Sequence, residues 1–339
     1  QRSGGVCPNC QKKFAFEPRT GDLINDVAWK SALDQVSSNG TVRFTRANLH
    51  HAVARRIKRA DASSGGWVIV FVACVIIAVA IVENSPCAGL VGAVVLAFGA
   101  VVAFAKKPEG LALDRETFDR LLARWIETHG APAKLIEPKA AAQLPAPEMA
   151  AELEQYSFDR AVICDRPETV DLLLGNDFHF ENNCAVLTAD GYPRHAAPTV
   201  RKMLRQNPRI EVFALHDATP EGCALAHSLR RDPEWFGGTT VRIYDVALRP
   251  AQAAKMPTLV VKETRAGIAH PSLTESERHW LKEHWMSLAA LAPEQLIKRL
   301  YRAINRMPEI AESTGDTGAS SGDAIVLWST DAHASDGGG

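Results

Sequence analysis

The sequence lacks an excess of either charge, a cysteine framework, and any tyrosine before Tyr156. It holds 38 Lys and Arg against 39 Asp and Glu, which argues against a general affinity of the chain for nucleic acid and leaves room for a local basic patch. Seven cysteines are scattered, and only Cys7 and Cys10 are close, so a disulfide framework is excluded and a reducing cytoplasm is expected. The chain begins with Gln1 and not Met, as an internal fragment would.

Charged residues are also absent from two long apolar runs, residues 67–82 and 87–105, which the turn-forming sequence ENSP separates. A transmembrane helix needs about 17–25 mostly apolar residues, whereas a soluble helix usually shows a polar face. Lys and Arg flank the two runs only on their outer sides, and positive residues stay cytoplasmic. The sequence therefore predicts a transmembrane helical hairpin over 67–105, in a multi-pass protein of the inner (cytoplasmic) membrane with both termini cytoplasmic. A buried helical hairpin of a soluble core is the alternative.

The first region, residues 1–66, opens with a CPNC sequence that is similar to half of a zinc knuckle. Thiolates of Cys7 and Cys10 on a tight turn supply two of the four ligands that Zn²⁺ requires. His50 and His51 are adjacent on a predicted helix and point in different directions, so the other ligands lie before the start of the chain or the site is a relic. We therefore predict a partial Zn²⁺ site, and the lack of a βαβ pattern disfavours a redox dithiol.

Two helices are predicted after the CPNC turn, over residues 26–36 and 46–59. The second has an apolar stripe at helical spacing and a basic end at residues 55–59. This small helical region either reads nucleic acid in the manner of a winged helix or places its basic end at a lipid surface.

Four further parts follow the apolar runs. Residues 106–130 contain an amphipathic helix, and residues 131–155 are rich in Ala and Pro, which predicts a semi-rigid linker. Residues 156–310 carry an α/β pattern, and residues 311–339 have the composition of a disordered tail. The predicted fold class is thus an α/β cytoplasmic domain with a parallel sheet, joined to the transmembrane hairpin and the zinc-knuckle-like helical segment.

Short apolar runs within residues 156–310 are typical of strands that are covered on both faces. They are AVIC at 161–164, CAVLT at 184–188, VFAL at 212–215 and VRIYDV at 241–246. Helical stretches lie between them, at 168–174, 197–205 and 221–230. This alternation predicts a parallel sheet whose ligand site lies at the carboxyl ends of the strands. The helices after residue 274 carry Trp and Tyr and either cover the sheet or form the surface of a homo-oligomer.

Polar clusters follow the first three predicted strands. Asp165 follows the first, and a turn with Gly191 and Tyr192 follows the second. The turn after the third contains His216, Asp217, Thr219, Glu221 and Gly222. In this order the clusters resemble the Toprim domain, and most closely that of the A subunit of type IIB topoisomerases, over about residues 158–250. The resemblance implies a Mg²⁺ or Mn²⁺ site whose acidic ligands steady charge during phosphodiester transfer.

The chain departs from the family pattern where the chemistry would occur. Asp165 stands in place of the family's Glu, Asp217 fills the first position of the acidic pair, and Thr219 replaces the second Asp. Glu221 either substitutes for the missing carboxylate or only favours a helix start, and His216 is either a ligand, an acid/base group or a structural hydrogen-bond partner. We therefore predict a weak cation site at Asp165 and Asp217, with Glu221 as a further catalytic candidate and the other cluster residues in binding.

Three functions compete. The first is a membrane-anchored, catalytically weakened Toprim-like module that binds or senses nucleic acid, a nucleotide or a partner protein. The second is an active divalent-metal-dependent nuclease, and the third is a structural membrane assembly protein. The family's nucleophilic Tyr lies ahead of its Toprim domain, and no Tyr stands there in this chain, which disfavours an active topoisomerase. A basic face with Arg201, Lys202, Arg205 and Arg209 is either a phosphate-contacting patch or a solvated helix face.

Overall fold

The computed structural model describes residues 5–6, 11, 13–17, 21–64, 110–137, 158–236, 241–246, 248–265 and 270–313. These residues belong to two compact units, one drawn from residues 1–30 and 52–129 and the other from residues 31–51 and 130–339. Helices α1 (Asp26–Val36) and α2 (Arg46–Ser64) each contribute residues to both units.

The first unit has an aromatic core. Phe16, Trp29 of α1, and Phe118 and Trp125 of α3 (Arg115–His129) pack with ring centroids 5.1–6.1 Å apart. Because Phe118 and Trp125 are seven residues apart, they lie on one side of α3, which is the amphipathic face that the sequence predicts.

The predicted zinc ligands Cys7 and Cys10 lie outside the described residues. An antiparallel bridge between Val6 and Lys13 brackets the segment that contains them. The partial Zn²⁺ site therefore stays a prediction.

The transmembrane part of the predicted fold class is corrected. No helix that the structure describes is both long enough and apolar enough to cross a bilayer. The two longest described helices, α2 and α11 (Pro293–Ser313), have 19 and 21 residues but carry charged side chains, which are costly to place in hydrocarbon. Residues 67–105 themselves lie outside the described part of the chain. The transmembrane hairpin and the multi-pass inner-membrane localisation are therefore not supported, and the membrane as a partner stays a prediction.

The second unit contains a four-stranded parallel sheet in the order β2-β1-β3-β4. The strands are β1 Arg160–Cys164, β2 Cys184–Thr188, β3 Glu211–Leu215 and β4 Ile243–Asp245. Each coincides with a predicted apolar run, so the predicted parallel α/β sheet is confirmed. The chain moves outward from β1 to β2 and then returns to place β3 on the other side of β1. Sheets of this kind bind ligands at such a reversal.

Helices cover both faces of this sheet. Val162 and Cys164 of β1 belong to one core, and Ala161 and Ile163 belong to the other. On the first face pack α4 (Pro167–Gly175), α5 (Phe178–Glu181), α9 (Pro250–Ala253) and α11; on the second pack α6 (Ala197–Gln206) and α8 (Leu225–Arg231).

The remaining elements are short. The helix predicted over 221–230 is broken at Ala224 into α7 (Pro220–Cys223) and α8. Helix α10 (Glu275–Leu281) shares a small core with α7. An antiparallel pair, β5 (Val261–Lys262) and β6 (His284–Trp285), forms a second sheet, and a 3₁₀ turn follows at Leu288–Ala290.

Candidate functional site at the carboxyl ends of the strands

The predicted clusters begin at one edge of the sheet because their strands pair in register. Cys164 is level with Thr188 on one side and with Leu215 on the other. The pairing continues one residue further, since the amide of Ala189 donates to the Cys164 carbonyl at 3.1 Å and the amide of Asp165 donates to the Leu215 carbonyl at 3.2 Å. Asp165 and the residues that follow Leu215 therefore meet where the strand order reverses.

Asp165 and Asp217 are joined directly. The amide of Asp217 donates to Oδ2 of Asp165 at 2.9 Å. Oδ1 of Asp217 accepts from the amide of Leu288 at 2.7 Å and from the hydroxyl of Ser287 at 3.2 Å, and Oδ2 lies 3.5 Å from Nε of Arg166. Asp217 is only 3% exposed. Oδ1 of Asp165 is also buried, and it has no hydrogen-bond partner among the described residues.

His216 is completely buried between two oxygen atoms. Its Nδ1 donates to the carbonyl of Asp217 at 2.7 Å, and its Nε2 lies 3.1 Å from Oδ1 of Asp245. Both ring nitrogens face acceptors, which favours the doubly protonated imidazole. Burial opposes that charge, but the hydrogen bond to Asp245 and the charges of Asp245 and Asp165 outweigh it, so the pKa of His216 lies above its ordinary value. Arg249 stands 3.6 Å from the other oxygen of Asp245.

Burial raises the pKa of both carboxyl groups in the acidic pair. The pKa of Asp217 rises to about 7, because the charge of Asp165 adds to the effect of burial and outweighs the Leu288 amide and Arg166. Burial likewise raises the pKa of Asp165 against the charges of His216 and Arg166. Two buried carboxylates this close are costly to ionise together, so the pair tends to retain a proton near neutral pH.

Thr219 and Gly222 shape the turn that follows Asp217. Oγ1 of Thr219 accepts from the amide of Gly222 at 3.0 Å and caps the start of α7. A Cβ on Gly222 would lie 2.5 Å from the carbonyl oxygen of Asp217 and 3.0 Å from Oδ2 of Asp165, so glycine lets α7 begin close to the acidic pair. Glu221 is exposed, and its side chain forms no hydrogen bond or ion pair with the described residues.

The cluster after β2 is tied to itself and to α4. Gly191 has a φ of +88°, a conformation that glycine adopts without strain. Tyr192 accepts from the amide of Thr188 at 2.7 Å and donates its own amide to Oγ1 of Thr188 at 2.8 Å. The Tyr192 hydroxyl donates to Asp171 of α4 at 2.6 Å. Gly191 and Tyr192 therefore build the turn, and the phenol is engaged by Asp171.

The oxygen atoms at this edge do not fit a two-cation site. Three of the four carboxylate oxygens of Asp165 and Asp217 have protein partners, which leaves Oδ1 of Asp165. Thr219 uses its oxygen as a helix cap. Mg²⁺ usually keeps several waters and takes one or two carboxylates from the protein, so one unengaged oxygen is too few for a pair of cations. Separately, within the described ranges no group of three or more His, Cys, Asp or Glu side chains is placed to hold a metal ion.

Three partners of the acidic pair, and the partner of His216, were not identified from the sequence. The first three are Arg166, Ser287 and Leu288, and the partner of His216 is Asp245. Asp245 did carry a signal, because an acidic residue inside an apolar strand needs a buried partner. Ser287 and Leu288 lie 70 and 71 residues from Asp217, and no local sequence pattern predicts a contact over that separation.

Comparison with known proteins gives a distant similarity. The chain is 21% identical over 140 residues to the meiotic recombination protein SPO11-4 of Oryza sativa subsp. japonica. The similarity covers 41% of this chain and only 28% of the rice protein. No family model and no solved structure matches the chain. The similarity and the parallel sheet together fit a Toprim- or topoisomerase-like relationship.

Proposed function

We propose that the second unit is a Toprim-like module that binds DNA, and that its acidic pair is a structural charge network without a catalytic metal. The similarity to a meiotic recombination protein supports a DNA-related role, because recombination acts on DNA. The parallel sheet with its polar clusters at one edge supports the Toprim-like relationship.

The observation that carries the structural role of the acidic pair is the set of protein donors around Asp217. Its carboxylate accepts from Ser287 and Leu288, while the next residue, Ala218, exchanges backbone hydrogen bonds with Met286 at 2.8 and 3.3 Å. The end of β3 is thereby fastened to the segment that follows β6. A buried carboxylate with these donors already has the partners that its burial requires.

A divalent-metal-dependent nuclease is the second candidate. The observation in its favour is Oδ1 of Asp165, which is buried without a hydrogen-bond partner among the described residues. Protonation of Asp165 is the alternative account of that atom, because burial raises its pKa and a neutral carboxyl group is less costly to leave without a partner.

The test uses the 339-residue chain and supercoiled plasmid DNA. We expect the wild type to retard the plasmid in EDTA and to form no nicked or linear product with Mg²⁺ or Mn²⁺. Asp217→Asn keeps an acceptor for the Leu288 amide, so its DNA binding should equal that of the wild type. Nicking that needs both Mn²⁺ and Asp217 would establish the nuclease instead, and a wild type that does not retard DNA would refute the DNA-related role.

A further inference from the structure

The helices on the two faces of the main sheet differ in charge. Helices α6 and α8, which share one face, contain five Lys and Arg and no Asp or Glu. On the other face, α4 and α5 contain Glu168, Asp171 and Glu181 and no Lys or Arg, and α11 carries charges of both signs. Although the net charge of the chain is near zero, α6 and α8 therefore form a strongly basic helical layer.

Most cations of this layer are exposed and unpaired. Lys202 and Arg205 of α6, Arg209 just beyond it, and Arg231 of α8 are exposed, and none forms an ion pair within the described part of the chain. Lys202 and Arg205 are three residues apart on one helix, where like charges repel. An anionic partner would relieve that repulsion.

Arg201 differs from these cations because it is part of the framework. Its guanidinium donates to Glu234 and to the carbonyl of Ala189, both at 3.1 Å, and lies 4.5 Å from the ring centroid of Trp235. The indole nitrogen of Trp235 donates to the same carbonyl at 3.0 Å. Arg201 thus fixes α6 against the turn after β2 and leaves the exposed cations on a rigid support.

The surroundings of these cations favour a phosphate backbone over a protein partner. The large apolar side chains that are exposed in the described residues are Leu23, Val27, Phe180 and Tyr301, and none belongs to α6 or α8. A protein interface normally has an apolar centre, whereas contacts to nucleic-acid phosphates need mainly Lys and Arg. The layer also offers no exposed aromatic side chain on which a base could stack.

We infer that the exposed face of α6, with Lys202, Arg205 and Arg209, binds the phosphate backbone of duplex DNA without regard to sequence. This inference rests on the proposed DNA-binding function and gives it a location away from the acidic pair. Binding of this kind releases counterions and therefore weakens steeply as salt rises.

The test compares two triple variants of the full chain that change the charge equally. Lys202→Glu/Arg205→Glu/Arg209→Glu alters the proposed surface, and Lys255→Glu/Lys262→Glu/Lys282→Glu alters exposed lysines elsewhere in the second unit. Binding of labelled duplexes of two unrelated sequences is followed by fluorescence anisotropy across a KCl series, and circular dichroism checks folding. We expect the first variant alone to bind at least about tenfold more weakly, with a slope of log K against log salt that is shallower by about 2.7, or 0.9 per lost phosphate contact.

Each other outcome identifies which inference fails. Equal weakening by both variants, or none by the first, would refute the α6 surface while leaving DNA binding by the chain intact. A wild type that binds neither duplex would refute both the surface and the proposed function. Displacement of DNA by poly-L-glutamate as effectively as by unlabelled duplex would mean that the surface recognises acidic protein, and would also overturn the inference.

Discussion

The carboxylate of Asp217 is buried beside a second carboxylate, so its ionisation is linked to folding. A carboxyl group whose pKa is higher in the folded than in the unfolded protein gives its full stabilisation below the unfolded value. That stabilisation is lost as the pH rises through the folded value, which for Asp217 is about 7. The raised pKa of His216 acts with the same sign. This network therefore favours the folded state most on the acid side of neutrality.

Asp217→Asn should remove the titration of this residue while keeping the hydrogen bond from Leu288. We expect the free energy of unfolding of the wild type, relative to the variant, to fall as the pH rises from about 5 to about 7. The slope should reach at most about 1.4 kcal/mol per pH unit, the value for one proton. Urea denaturation at several pH values measures the free energy of unfolding of each protein. Glu221→Gln is the control for the loss of a neighbouring exposed acid. A wild-type-to-variant difference that does not change with pH would contradict the raised pKa.

Thr219 shows why the role of a single residue could not be deduced from the motif. In the sequence it occupies a position where the resembled family has a metal-binding Asp, so it reads as a lost ligand. In the structure its hydroxyl caps α7, and the residue is 1% exposed. Thr, Ser, Asp and Asn all serve as helix caps, so the residue type is compatible with either role.

Helix α7 begins close to the ends of the strands, and Gly222 is the residue that permits this. A Cβ there would meet the carbonyl oxygen of Asp217 at 2.5 Å, and that oxygen can move only with the backbone. Gly222→Ala should therefore destabilise the protein by about 1–3 kcal/mol, the usual cost of overpacking, as measured by urea denaturation.

Gly175→Ala is the matched control for this substitution. Its Cβ would meet Cδ1 of Ile136 at 2.7 Å, which is the end of a side chain that can rotate away. We expect a clearly smaller loss of stability than for Gly222→Ala. Equal losses would mean that the backbone at Asp217 yields as readily as a side chain, and α7 would not be held rigidly against the acidic pair.

The four strands of the main sheet could be predicted because strands that are buried on both faces are apolar almost throughout. The two-residue strands β5 and β6 are too short to leave such a pattern, and the break at Ala224 has no Gly or Pro at that position to mark it. The location of Asp165 and Asp217 at the carboxyl ends of the strands could also be predicted, because α/β proteins place their ligand sites there. The donors to Asp217 could not, because Ser287 reaches it through tertiary structure alone.

In the second unit, we assign fold stabilisation to the carboxyl ends of the strands and DNA binding to the exposed face of α6. The carboxyl edge of its sheet holds carboxylates, an imidazole and guanidinium groups that contact one another, while the basic face of α6 is exposed. The resemblance to Toprim enzymes predicted a cation at Asp165 and Asp217, whereas we propose that these groups hold the fold.

Manganese binding to the full chain tests that account most directly. Electron paramagnetic resonance of free Mn²⁺ during a titration would compare the wild type with Asp165→Asn/Asp217→Asn, and with Glu275→Gln/Glu283→Gln as a control for the loss of two exposed acids. Because three of the four carboxylate oxygens of the acidic pair already have protein partners, we predict that all three binding curves coincide. A stoichiometric Mn²⁺ site that the wild type and the control retain, and that Asp165→Asn/Asp217→Asn loses, would contradict the account.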